Sequence, residues 1–175
     1  MYVLPSACVI SRKAFLAVDG FDERLSGYED DDLFLRLFLA GYDNIYLTQP
    51  LSAWRIHQSS SSYSSRMGVS RAAYARKLIL QFPDDPDMTR YYIRDLIAPR
   101  FFRSTVSELR KAVKTGTKAE QAEAYRNLRF ITRHLARRKR IPLQMFVLPP
   151  LRFSGLRRLI MRYRNPLRSM LRCVL

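Results

Sequence analysis

Glu29-Asp30-Asp31-Asp32-Leu33-Phe34-Leu35-Arg36-Leu37-Phe38-Leu39-Ala40-Gly41 sets four acids directly before an apolar run and its glycine stop. Adjacent carboxylates repel, so so dense a cluster is costly unless a helix N-terminus, a metal ion or a basic substrate group offsets the charge. A helix start is at hand. Acids in a first turn meet the positive end of the helix dipole and cap free N–H groups, each contributing about 0.3–1 kcal/mol. One or two acids satisfy that need; four, placed after a glycine-containing loop, direct some of them to a cleft. Leu33 with Leu37 and Phe34 with Phe38 stand four apart, which predicts a helix apolar over a wide arc and buried under other elements. Asp32 and Arg36 share that spacing, which permits an ion pair.

Upstream, residues 7–10 read as a short strand, and Ser11 caps a brief helix with Phe15 and Val18 on one face, stopped by Asp19 and Gly20. Residues 21–27 form a loop closed by Gly27, which can adopt positive φ. Downstream, residues 44–47 have the β-branched and aromatic content of a strand ended by Pro50, and residues 53–56 form another, followed at once by His57. Residues 58–65, six serines and one tyrosine, make a hydrogen-bonding loop, a lid or a linker. From Val69 onward only helices are expected: 69–81; 86–97 with Asp85 as N-cap and Pro86 at the first helical position; and one marked by Phe102, Val106, Leu109 and Val113. Thr117 and Glu120 make a capping box opening a helix with Tyr125, Leu128, Ile131 and Leu135 on one face. It runs into Arg137, Arg138, Lys139 and Arg140 and ends at Pro142. In the last stretch Leu156, Leu159, Ile160 and Tyr163 share one side, and Arg157, Arg158, Arg162 and Arg164 the other.

The net charge of +16 is unevenly placed: residues 1–88 hold 9 Lys+Arg and 11 Asp+Glu, residues 89–175 hold 22 and 4. The second half therefore carries all of the excess. A basic helical tail has three readings: a solvated surface, a segment lying on an anionic membrane, or a nucleic-acid contact through phosphates. Its Arg-rich helices with Leu, Ile and Tyr opposite favour the membrane, and the absence of zinc spacing, an RNA-recognition signature or an aromatic-basic β platform disfavours specific nucleic-acid binding. Cys8 and Cys173 lie at opposite ends without clustered partners, which points to a reducing, cytoplasmic setting. Residues 1–10 lack a basic n-region and contain Pro5, a poor signal peptide. No apolar run approaches the ~18–20 residues of a transmembrane helix.

The string VDGFDERLSGYEDDDLFLRLFLAGY, residues 18–42, resembles the carboxyl-terminal half of the catalytic domain of family 2 glycosyltransferases, which adopt the GT-A fold. The residues that carry the resemblance are Gly20, Phe21, Asp22 and Glu23, then Glu29, Asp30, Asp32, Leu33, Arg36 and Gly41. It extends over about residues 5–65. The resemblance implies that Asp30 is the general base of an inverting transfer, taking the acceptor hydroxyl proton across about 2.6–3.2 Å. It places Glu29 against the acceptor, Asp32 and Arg36 as a brace of the helix, and His57 near the donor diphosphate as a ligand of a divalent ion, Mn or Mg. Read from the residues alone, His57 is equally an exposed or hydrogen-bonded loop histidine, and Trp54 is a core residue or an acceptor-binding platform.

The resemblance further implies an α/β class. A partial GT-A (nucleotide-diphospho-sugar transferase-like) sheet-helix unit, residues 1–66, is followed by a helical extension, 67–140, and a basic amphipathic tail at the membrane surface, 141–175. The family's first strands and its Asp-x-Asp pair are not found in these residues. Asp30 and Asp32 belong to the later helix motif, and Asp85 and Asp87 flank Pro86 in a turn-like context. The chain is therefore expected to be a truncated or split enzyme, with most metal ligands and the donor site in a missing half or a partner chain. The expected function is sugar transfer from a nucleotide-diphosphate sugar to a saccharide or lipid-linked acceptor in glycan biosynthesis, in the cytoplasm and at the inner membrane surface. The alternative is a non-catalytic accessory or binding protein derived from such an enzyme, and the two differ in whether a nucleotide sugar binds at all.

Overall fold

The computed structural model describes residues 7–49, 51, 53 and 66–162. Ten helical segments are seen among them, and the chain divides into two compact units, residues 1–74 and 75–175. In the first unit, α1 (Arg12–Ala17) starts where Ser11 Oγ accepts from the Ala14 N–H at 3.5 Å, the cap that the sequence predicts. It ends in a tight reversal at Asp19 and Gly20, both at positive φ. The reversal packs closely, because a Cβ on Gly20 would come within 2.8 Å of the Phe15 ring. Phe15 in turn meets Phe21 edge-on at 5.5 Å.

α2 (Glu29–Leu39) supplies Leu33 and Leu37 to a small core with Ala14, flanked by Ile10, Phe15, Val18, Phe34 and Tyr42. The expectation of a helix buried over a wide arc is met on one face only: Phe38 and Leu39 are exposed. Residues 7–10 and 44–47, expected as strands, join no ladder among the described residues; Ile45, Tyr46 and Leu47 are exposed. A strand exists only through its cross-strand hydrogen bonds, and local β-content cannot supply the partner. Of the expected strand at 53–56, all but Ala53 lies outside the described residues. The described part of the chain is thus helical, and the sheet of the expected sheet-helix unit is not seen in it.

α3 (Arg66–Gln81) begins in the first unit and ends in the second. After it, Asp85 and Arg90 pair backbone to backbone at 2.7 and 2.8 Å, closing a turn in which Thr89 takes φ 54°. The expected helix start at Pro86 is therefore corrected. Asp-Pro serves a β-turn as well as a helix N-terminus, and here Asp85 Oδ1 accepts from Met88 N within the turn. Asp84 caps the helical backbone instead, taking Ile93 N at 2.7 Å and Arg94 N at 3.4 Å.

The second unit is built on α4 (Ala98–Thr115) and α5 (Lys118–Thr132), which pack against each other. Phe101, Phe102, Leu109, Ile131, Leu143 and Leu151 form its fully buried centre. α5 opens on the predicted capping box: Glu120 N donates to Thr117 Oγ1 at 3.2 Å, and Thr117 N donates to Glu120 Oε2 at 2.7 Å. The helix expected to run from Thr117 into the basic cluster stops at Thr132, and a new one, α6 (Arg137–Pro142), carries that cluster. Past Pro142 the backbone stays helical, against expectation, through a π turn (Leu143–Val147) and α7 (Leu148–Leu151) before α8 (Ser154–Arg162). Burial of Leu143, Val147, Leu148 and Leu151 offsets the hydrogen bond that proline forgoes.

A second π turn, Ile93–Ile97, shows the same local logic. Each π turn runs up to a proline two residues on, Pro99 or Pro149. A proline ring crowds the carbonyl four residues back, and a widened turn relieves the crowding. Accordingly Ala98 N and Leu148 N bond five residues back, to Ile93 O and Leu143 O.

Candidate active site

The four acids open α2, as the sequence predicts, but each does something different. Asp32 is buried, 1 % exposed, and its Oδ2 accepts from Arg36 Nε at 2.8 Å. Arg36 does more than pair with it. Its two terminal nitrogens donate to the carbonyls of Val18 and, at 2.6 Å, Gly20, so one guanidinium ties α2 to the end of α1 and the reversal after it. Charge-assisted bonds of this kind are roughly twice as strong as neutral ones. They also satisfy carbonyls that the end of α1 leaves open.

Glu29 turns back from the helix, and its Oε2 accepts from the Gly27 N–H. Asp30 Oδ1 accepts from Asp31 N at 2.8 Å, in the first turn of α2. Among the described residues its other oxygen accepts no hydrogen bond, and the side chain is half-buried. The charge concentration is therefore relieved stepwise, by a loop N–H, by a helix N-terminal N–H and by one arginine. Asp22 at the loop entrance takes Arg24 bidentately at 2.8 Å for both contacts, and that hydrogen bond holds the exposed Arg24 guanidinium more firmly protonated.

The loop before Glu29 is gripped by α3, a contact that sequence reasoning missed. Gly27 sits at φ 129° so close to α3 that a Cβ there would lie 2.8 Å from Met67 Sδ. Tyr28 stacks on Tyr74 with centroids 5.3 Å apart, and Arg71 Nε donates to Tyr28 Oη at 2.9 Å. Tyr28 and Arg71 are 43 residues apart, so no local pattern links them. The available signal was an aromatic residue wedged between Gly27 and the acidic run.

Trp54 and His57 lie outside the described residues. Among those that are described, no three His, Cys, Asp or Glu side chains converge to hold a metal ion. Glu29, Asp30 and Asp32 are each turned to an N–H or to Arg36, which does not fit a ligand set for a divalent ion.

Taken together, the start of α2 carries a buried carboxylate–arginine brace beside the half-buried carboxylates of Glu29 and Asp30. The family model described as "Glycosyltransferase like family 2" matches residues 2–102, and the chain belongs to that family. No curated protein and no solved structure matches it. Family membership supports a glycosyltransferase-type function, with a nucleotide-sugar donor and an acceptor in general terms.

Proposed function

We propose that residues 1–66 contribute the acceptor side of an inverting GT-A-type glycosyl transfer, with Asp30 as general base. The observation that carries this reading is the placement of the acids: Asp32 is buried and paired with Arg36, whereas Asp30, like Glu29 beside it, is half-buried at the helix start with a backbone N–H on one oxygen and the other uncommitted among the described residues. In the reaction the acceptor oxygen attacks the anomeric carbon, its proton passes to the open oxygen of Asp30, and the bond to the diphosphate breaks with that group leaving on the opposite face. Glu29 orients the acceptor at the loop, Trp54 offers it a stacking face, and the Asp32–Arg36 brace holds the helix start in place.

The donor is a nucleotide-diphosphate sugar and the acceptor a saccharide or lipid-linked glycan. A divalent ion, Mn or Mg, is assigned to His57 together with ligands outside the described residues, and no step here depends on it. The experiment is Asp30→Asn, assayed for nucleoside-diphosphate release from a panel of nucleotide sugars with saccharide acceptors. A loss of about 10²–10⁴-fold with nucleotide-sugar binding retained is expected. Unchanged turnover overturns the assignment, and a chain that binds no nucleotide sugar, alone or with a partner, supports the accessory-protein alternative.

A further inference from the structure

The start of α8 turns one arginine inward. Arg157 is buried, whereas Leu156, Arg158 and Leu159 are exposed. The arginine is well held there. Its Nε donates to Leu151 O at 2.7 Å and its Nη2 to Arg152 O at 3.1 Å, the open carbonyls at the end of α7. The guanidinium carbon stands 5.3 Å from the centre of the Tyr125 ring, and Tyr125 Oη donates to Leu148 O at 3.0 Å. Arg157 thus ties the start of α8 to the end of α7 beside Tyr125 of α5, and Leu156 and Leu159 stay exposed.

The preceding helix likewise leaves apolar side chains exposed. Leu143, Val147 and Leu148 face the core, leaving Met145 and Phe146 outside. With Phe153, Leu156 and Leu159 they make two consecutive stripes of large apolar side chains, each 46–67 % exposed. Exposed Arg152 and Arg158 stand among them in the chain, and exposed Arg137 and Arg138 precede them. From residue 124 to residue 175 there are 14 Lys+Arg and not one Asp or Glu.

We propose that this outward face, Met145, Phe146, Phe153, Leu156 and Leu159 with the surrounding arginines, docks on an anionic lipid bilayer. Both halves of the surface are needed to choose that occupant. Excess positive charge, faced by Asp95 near Arg138, selects an anionic partner, and exposed Phe, Leu and Met near arginines gain from entering the headgroup–acyl boundary while the guanidinium groups stay among the phosphates. A nucleic acid would take up the charge but offers no apolar layer for five such side chains. Among the described residues no helix is long and apolar enough to cross a membrane, so the contact is one of lying on the surface. The proposal is independent of the transfer chemistry.

The test is co-sedimentation of the full chain with vesicles of phosphatidylcholine mixed with phosphatidylglycerol, against phosphatidylcholine alone, at low ionic strength. Phe146→Ser/Leu156→Ser/Leu159→Ser keeps the charge and touches only exposed side chains. It should bind the anionic vesicles at least ~10-fold more weakly, with unchanged circular dichroism and unchanged retention on heparin. Arg137→Gln/Arg138→Gln/Arg158→Gln should weaken vesicle binding roughly fivefold per arginine removed. Wild-type protein that binds duplex DNA or heparin but not anionic vesicles overturns the proposal. So does a serine triple variant that binds the vesicles as tightly as wild type, since the attraction would then be charge alone.

Discussion

The two units of this chain hold themselves together by opposite means. In the first, a core of Ala14, Leu33 and Leu37 is small, and the elements are tied by polar bonds that span 16–43 residues: Arg36 to Val18 and Gly20, and Arg71 to Tyr28. In the second, two phenylalanines and a set of leucines and isoleucines are fully buried, and its buried threonines are satisfied within their own helices, Thr105 to Phe102 O and Thr132 to Leu128 O. The difference teaches where chemistry is affordable. A unit that fixes a carboxylate at a helix start needs directional bonds to aim it, whereas the second unit rests chiefly on burial, with polar bonds such as Tyr125 Oη to Leu148 O added to it.

The largest effect should come from carving the deep core. Phe102→Ala is expected to destabilise the second unit by about 3–5 kcal/mol, read from chemical denaturation. A cost below about 1 kcal/mol would break the comparison, because the apolar centre would not then be what holds that unit. Next comes the brace. Arg36→Met leaves Asp32 buried without its arginine, and removing one partner of a fully buried pair costs about 3–5 kcal/mol. Arg36 is 19 % open to solvent, so about 2–4 kcal/mol is the expectation here. Hydrogen exchange should rise in α1 and α2 and stay unchanged in α4 and α5. The sharpening control is Asp32→Asn/Arg36→Met, which removes the stranded charge and should recover part of the loss. Arg24→Ala, at an ion pair whose arginine is 83 % exposed, should change nothing measurable. Thr117→Ala, which deletes the α5 cap, should cost about 1 kcal/mol and fray only the start of that helix.

The same contrast explains what was legible in the sequence. Bonds closed within one helical turn could be read off the spacing: Ser11 on α1, the Thr117–Glu120 box, and the Asp32–Arg36 pair at i,i+4. The helical content after residue 66 followed from periodicity in the same way. Arg36's reach to Val18 and Gly20, and the hold of α3 on Tyr28, were not legible, because they arise only once separate elements have packed. Two prolines were misjudged because the residue is ambiguous: Pro86 fits a turn as well as a helix start, and Pro142 can be carried inside a helix if burial beyond it is sufficient. In α8 the wheel set leucines against arginines, but the inward side mixes the two: Arg157 is buried and Ile160 half-buried, whereas Leu156, Arg158 and Leu159 are exposed.

A further predicted effect bears on charge in the second unit. His134 lies against Phe130, ring centroids 5.0 Å apart, and its imidazole is held below its ordinary pKa of 6.5. Burial is the main cause, with Arg133 and Arg140 adding to it and Asp84 opposing. The folded protein therefore prefers the neutral ring, while the unfolded chain takes up a proton near pH 6.5. Stability from this group is fully present above pH 6.5 and is lost as pH falls from there through the lower folded pKa. Wild-type protein should melt at a lower temperature at pH 5.5 than at pH 7.5, and His134→Phe, which keeps an aromatic ring against Phe130, should flatten that slope. An equal slope in the variant would mean that the ring is not the group that titrates. Protonation of the half-buried imidazole weakens the second unit because its burial favours the neutral ring.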